Sequence, residues 1–77
     1  MKLTRSEFCQ FTLNSRLELL KEFGKTILRK KVEMRLISVY TISDFYVEVY
    51  ENLASHKLEK VEPVKNIGLL DVYNDLS

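Results

Sequence analysis

The chain is poor in the residues that mark whole classes of protein. Its 77 residues include one cysteine, one proline, one histidine, two glycines and no tryptophan. With Cys9 alone, no disulfide framework forms within the chain. One histidine and one cysteine cannot build a Cys/His zinc site, and Gly24 and Gly68 do not make a phosphate-cradling loop. No apolar run approaches the roughly 18–20 residues that a membrane span requires. The start Met1-Lys2-Leu3-Thr4 lacks the apolar block of a secretory signal. These absences lead to the expectation of a cytoplasmic protein with no membrane segment, cofactor or metal.

What is present suits one small folded domain over residues 1–77. Apolar residues make up 45% of the sequence and run its full length, which argues against low-complexity disorder. A domain of this size is stable by roughly 4–12 kcal/mol, at about 0.05–0.15 kcal/mol per residue. A strained, desolvated catalytic site would consume much of that, and self-association is a common way to bury more apolar area. The catalytic constellations are also missing. Ser55 and His56 are neighbours in a loop and point apart, so they form no hydrogen-bonded dyad. Glu48 and Glu51 fall on opposite faces of one strand. Cys9, on a short amphipathic helix without a nearby histidine, reads as a small buried hydrophobe. The expectation is a protein that is not an enzyme.

Local signals divide the chain into consecutive elements. Thr4-Arg5-Ser6-Glu7 is a capping box, with Leu3 and Phe8 at the positions of a hydrophobic staple. It predicts a short helix over about residues 5–11, with Phe8 and either Phe11 or Cys9 turned inward. A second helix starts near Thr12, Asn14 or Ser15. Leu13, Leu17, Leu20, Phe23, Ile27 and Leu28 recur at three- and four-residue steps, one face of a helix. Gly24 either ends that helix as a left-handed cap or sits inside it close to the sheet. Because Ile27 and Leu28 keep the phase, the reading favours continuation to about residue 30.

From Val32 the period changes to two and β-branched residues become frequent. Strands are expected over Val32–Tyr40, Phe45–Tyr50 and Lys57–Glu62. Ile42-Ser43-Asp44 forms the first turn, Asn52 to His56 the second loop, and Pro63 ends an edge strand. Setting Thr41 opposite Asp44 pairs Tyr40 with Phe45, Leu36 with Val49 and Met34 with Glu51. Met34, Leu36, Tyr40, Phe45, Val47 and Val49 then share one apolar face. Leu58 and Val61 cannot both join that face without a bulge. Leu69, Leu70, Tyr73 and Leu76 behind Asn66 predict a short C-terminal helix. The expected fold is α+β and two-layered: two N-terminal helices on a three-stranded antiparallel meander, then a short helix (α-α-β-β-β-α).

Two surfaces stand out as candidates for function. The first is the outer sheet face, where Ile37, Val39, Tyr46 and Tyr50 lie with Arg35 and Glu48. It suits a non-catalytic interaction domain forming a homodimer, either through this face or through the unblocked edge strand Val32–Tyr40. The second is basic. Residues 1–38 hold nine Lys or Arg against four Glu, whereas residues 39–77 hold three Lys against seven Asp or Glu. Lys21, Lys25 and Arg29, continued by Lys30 and Lys31, would form one helical stripe, a surface that attracts phosphate and so an alternative route to nucleic-acid binding. The same cations also complement the C-terminal end of a helix dipole.

Overall fold

A computed structural model describes residues 2–64. Helix α1 covers Arg5–Phe8 and α2 covers Leu13–Phe23. Four strands follow: β1 Lys25–Val32, β2 Arg35–Ile42, β3 Phe45–Asn52 and β4 Lys57–Val64. They pair in sequence order as one antiparallel meander. This overturns the three-stranded sheet and the helix running to residue 30. The expected C-terminal helix over Asn66–Leu76 lies outside the described residues.

Both helix starts follow from side-chain chemistry. The Thr4 hydroxyl accepts from the Glu7 amide at 3.1 Å, and the Thr4 amide donates to the Glu7 carboxylate at 3.0 Å. That capping box holds a helix of one turn only, shorter than expected. Leu3 and Phe8 both join the core, whereas Phe11 and Cys9 are exposed. Helix α2 opens on Thr12, whose hydroxyl accepts from the Ser15 amide at 3.2 Å.

Gly24 ends α2 in an extended conformation, φ −92° and ψ 178°, not as a left-handed cap. Here the chain passes close to the sheet. A Cβ at this position would stand 2.7 Å from the Leu20 carbonyl oxygen and 3.0 Å from that of Thr41. Only a residue without a Cβ fits between helix end and β2.

The sheet pairing explains which side chains face inward. Ile42 pairs with Phe45, Tyr40 with Val47 and Ser38 with Val49, so Ser43 and Asp44 form a two-residue turn. Pairing is thus displaced by two residues from the expected register, and Ile42 belongs to β2 rather than to the turn. A shift of two leaves every side chain on its expected face. Tyr40, Ile42, Phe45, Val47, Val49 and Val61 form the core with Phe8, Leu20 and Leu3. The Phe8 and Phe45 rings meet edge-on, with centroids 5.8 Å apart. Met34, expected in this core, lies in the β1–β2 turn and is exposed.

In β4, an extra residue sits between the pairs Tyr50–Lys60 and Glu51–Leu58. This bulge lets both Leu58 and Val61 turn toward the helices, settling the odd-number conflict between them. The expected helical face also breaks apart. Leu20 is fully buried and Leu17 partly so, but Phe23 and Ile27 are exposed and Leu28 sits on the outer side of the sheet.

Arg16 ties the helical segment to the last strand. Its guanidinium donates to the carbonyls of Phe11 at 2.9 Å, Cys9 at 2.7 Å and Val61 at 2.9 Å. It also lies 5.9 Å from the centre of the Phe8 ring.

Candidate interaction surface

Strand alternation builds the outer face from alternate residues of all four strands. Val39 pairs with Leu28 on one side and Glu48 on the other, and Ile37 pairs with Lys30 and Tyr50. Tyr46 pairs with Val64. Cross-strand partners share a face, so Leu28, Ile37, Val39, Tyr46, Tyr50 and Val64 gather in one cluster. Ile37, Val39, Tyr46 and Tyr50, singled out from the sequence, are therefore brought together. Alternation missed Leu28, because it was assigned to a helix, and Val64, because it lies past Pro63.

The cluster is more buried than an open sheet face suggests. Val39 is 0% exposed and Ile37 8%, although α1 and α2 pack against the opposite side. A charged group sits beside them. Glu48 is 5% exposed and accepts from the Lys60 ammonium at 3.0 Å and, at 3.4 Å, from the Tyr50 hydroxyl. The Lys60 nitrogen also lies 5.0 Å from the centre of the Tyr50 ring. Desolvation is the largest influence on Lys60 and lowers its pKa. The hydrogen bond and charge of Glu48, with Tyr50 and Glu62, outweigh it, so the net direction is upward from the ordinary 10.5. The network leaves no buried side-chain nitrogen or oxygen without a partner among the described residues.

At one end the face opens into a hollow of about 310 Å³ between Met34, Arg35, Ile37, Tyr50 and Asn52. Arg35 is held there by Glu59 at 2.9 Å, and Asn52 reaches the same carboxylate at 3.4 Å.

The basic set is not one helical stripe. Lys21 belongs to α2, while Lys25, Arg29, Lys30 and Lys31 belong to β1. Pairing places Lys25 opposite Thr41 and Lys30 opposite Ile37, on the outer face. Arg29 and Lys31 pair with Ser38 and Leu36, on the helix side. The sheet thus divides these cations between its two sides.

No family model, curated protein or solved structure matches this chain. Among the described residues no helix is long and apolar enough to cross a membrane. Among the same residues no group of three or more His, Cys, Asp or Glu gathers to hold a metal ion.

The sheet edges differ from expectation too. Strand β2 is interior, paired on both sides, so the residues Arg35–Tyr40 expected at an edge are covered. Among the described residues the edges are β1 and β4. The first carries Lys25, Arg29, Lys30 and Lys31 and a pairing irregularity between Thr26 and Leu28; the second carries Pro63 and the bulge at Glu59. Lysines, proline and bulges are the devices that discourage strand addition.

Proposed function

We propose that the chain is a non-catalytic protein–protein interaction domain that self-associates through its outer sheet face. The observation that carries this reading is the apolar cluster around Ile37 and Val39, on the side of the sheet opposite both helices. Both edges are blunted, so face-to-face contact suits this molecule better than strand addition. The exposed Cys9 thiol suits a reducing compartment, in keeping with a cytoplasmic protein.

The dimensions set the strength. Eight-residue strands at about 3.3 Å per residue and four strands about 4.8 Å apart give a footprint of about 500 Å² per copy. Because Val39 and Ile37 are already buried within one chain, two such faces bury less than about 1,000 Å² in total, below the range of stable specific interfaces. Reversible association with a Kd in the micromolar range or weaker is expected.

Sedimentation equilibrium from about 1 µM to 1 mM tests the reading. The average mass is expected to rise toward two chains, and Ile37→Lys or Tyr46→Lys to raise Kd at least tenfold. A mass of one chain throughout refutes it. Phosphate binding by Lys21, Lys25, Arg29, Lys30 and Lys31 has less support, because those side chains are split between two elements and two faces. It would show instead as RNA or DNA binding that weakens steeply with salt.

A further inference from the structure

We infer that the free edge of β1 takes up an extended acidic segment of a partner protein as an added strand, with consecutive Asp or Glu residues beside Arg29, Lys30 and Lys31. The inference goes beyond the self-association reading, since it concerns the margin of the sheet and not its outer face.

The backbone is the first support. Glu33 and Met34 form a two-residue turn between β1 and β2, so the flanking pair Val32–Arg35 is hydrogen-bonded. In an antiparallel ladder such pairs recur at every second residue. Lys30 and Leu28 therefore bond to Ile37 and Val39, while Arg29 and Lys31 turn their N–H and C=O groups away from β2. Among the described residues no strand lies on that side. Every residue of β1 is exposed except Leu28 and Lys30, which are half-buried, so the described helices leave the approach open.

Charge is the second support. Arg29 and Lys31 lie on the helix side and Lys30 on the outer side, so cations line both surfaces of this margin. Among the described residues neither Arg29 nor Lys31 enters an ion pair, whereas Arg35 is held by Glu59 and Lys60 by Glu48. Opposite charges across a strand pair stabilise it and like charges oppose it. A second copy of β1 would set cation against cation. The residues that turn away a copy of this chain are thus the ones that hold an acidic strand.

Side-chain order is the third. Pairing with β2 is regular from Leu28 to Val32, the irregularity lying between Thr26 and Leu28. That stretch presents an apolar residue, then the cations, then another apolar residue, with Leu28 and Val32 both on the outer side. The fitting segment has acidic residues between two apolar ones, an order that reads the same from either end. Main-chain hydrogen bonds supply the affinity and the side chains the selection. A nucleic acid would meet the same cations but has no peptide groups to pair with Arg29 and Lys31.

The test uses the full chain and two blocked, fluorescein-labelled peptides, each with three glutamates between two valines. In one of them the first and third glutamates, placed opposite Lys31 and Arg29, are N-methylated, which keeps the charge and removes the donors. Anisotropy should show saturable binding of the plain peptide at protein concentrations up to about 1 mM. The methylated peptide should bind at least tenfold more weakly. So should the plain peptide to Arg29→Gln with Lys31→Gln, with circular dichroism checking that the sheet is kept. In the natural protein, bound plain peptide should slow hydrogen exchange at the Arg29 and Lys31 amides. Absence of saturable binding overturns the inference, and so does equal binding of the methylated peptide. If the double variant fails to fold, the exchange measurement decides, and amides that are not slowed refute strand addition. A single-stranded DNA oligonucleotide that binds where the plain peptide does not would overturn the inference in favour of phosphate binding.

Discussion

Gly24→Ala asks the chain directly whether it wants a helix or a strand after Phe23. By helix propensity alone the change is favourable, since Ala is better than Gly by about 1 kcal/mol inside a helix. It also removes unfolded-state entropy worth about 0.4–1 kcal/mol. The geometry opposes both. The new methyl would lie 2.7 Å from one backbone oxygen and 3.0 Å from another, and neither Leu20 nor Thr41 can rotate its carbonyl away cheaply. Leu20 is in the core and its carbonyl already accepts from the Gly24 amide at 2.8 Å. Overpacking that moves backbone costs about 1–3 kcal/mol, so the net loss is about 0.5–2.5 kcal/mol. At about 4–8 °C per kcal/mol for a domain of this size, Tm falls by roughly 2–20 °C. Urea unfolding followed by circular dichroism reads both stability and helix content. An alanine variant that is equally stable or more stable, with added helical signal, would refute the close-approach argument and revive a helix running to residue 30.

Two further outcomes follow from the side-chain networks. Arg16→Gln keeps a polar chain but loses the charged fork on the Cys9, Phe11 and Val61 carbonyls, each at 2.7–2.9 Å. It should destabilise by about 1.5–3 kcal/mol in urea titration, and a change below about 0.5 kcal/mol would show that the fork is idle. Lys60 has a raised pKa in the fold, so its contribution is complete below the ordinary lysine value and is lost as pH rises through the folded one. Stability measured from pH 8 to 12 should therefore fall more in the natural protein than in Glu48→Gln. Parallel curves for the two would refute the coupling.

What the sequence disclosed depended on whether a local signal was undiluted. Thr4 with Glu7 is a side-chain device whose geometry is set within four residues and it caps as read, while of Thr12, Asn14 and Ser15, all open as starts of the second helix, Thr12 is the cap used. In β2 and β3 the signal is a dense apolar and β-branched run, because these interior strands have buried residues on both faces. The parity of Leu58 and Val61 limits the options to one of them inward or a bulge, and leaves that choice open. Strand β1 had no such signal. It lies at an edge, its side chains are exposed except for Leu28 and Lys30, and Lys25, Arg29 and Lys31 interrupt any alternation. Ile27 and Leu28 continued the helical phase by coincidence: one is solvent-exposed and the other faces outward. The turn that joins β1 to β2 was equally silent. Glu33 adopts φ 57°, a conformation usually given to Gly or Asn, and neither Glu33 nor Met34 announces a turn. Without a signal for β1, the basic residues read as one helical stripe and β2 reads as an edge.

The Arg16 contact with Val61 has a consequence for the order in which the molecule is assembled during synthesis. The two helices leave the ribosome first, yet the strand that Arg16 grips is the last of the four to appear. One turn and three turns of helix are too short to persist alone in water. Meanwhile each strand meets only its sequence neighbour, across links of two, two and four residues, and can zip on as it emerges. The nascent chain therefore extends its ribbon from the β1 edge toward the β4 edge, and the earliest residues made are among the last to find their places.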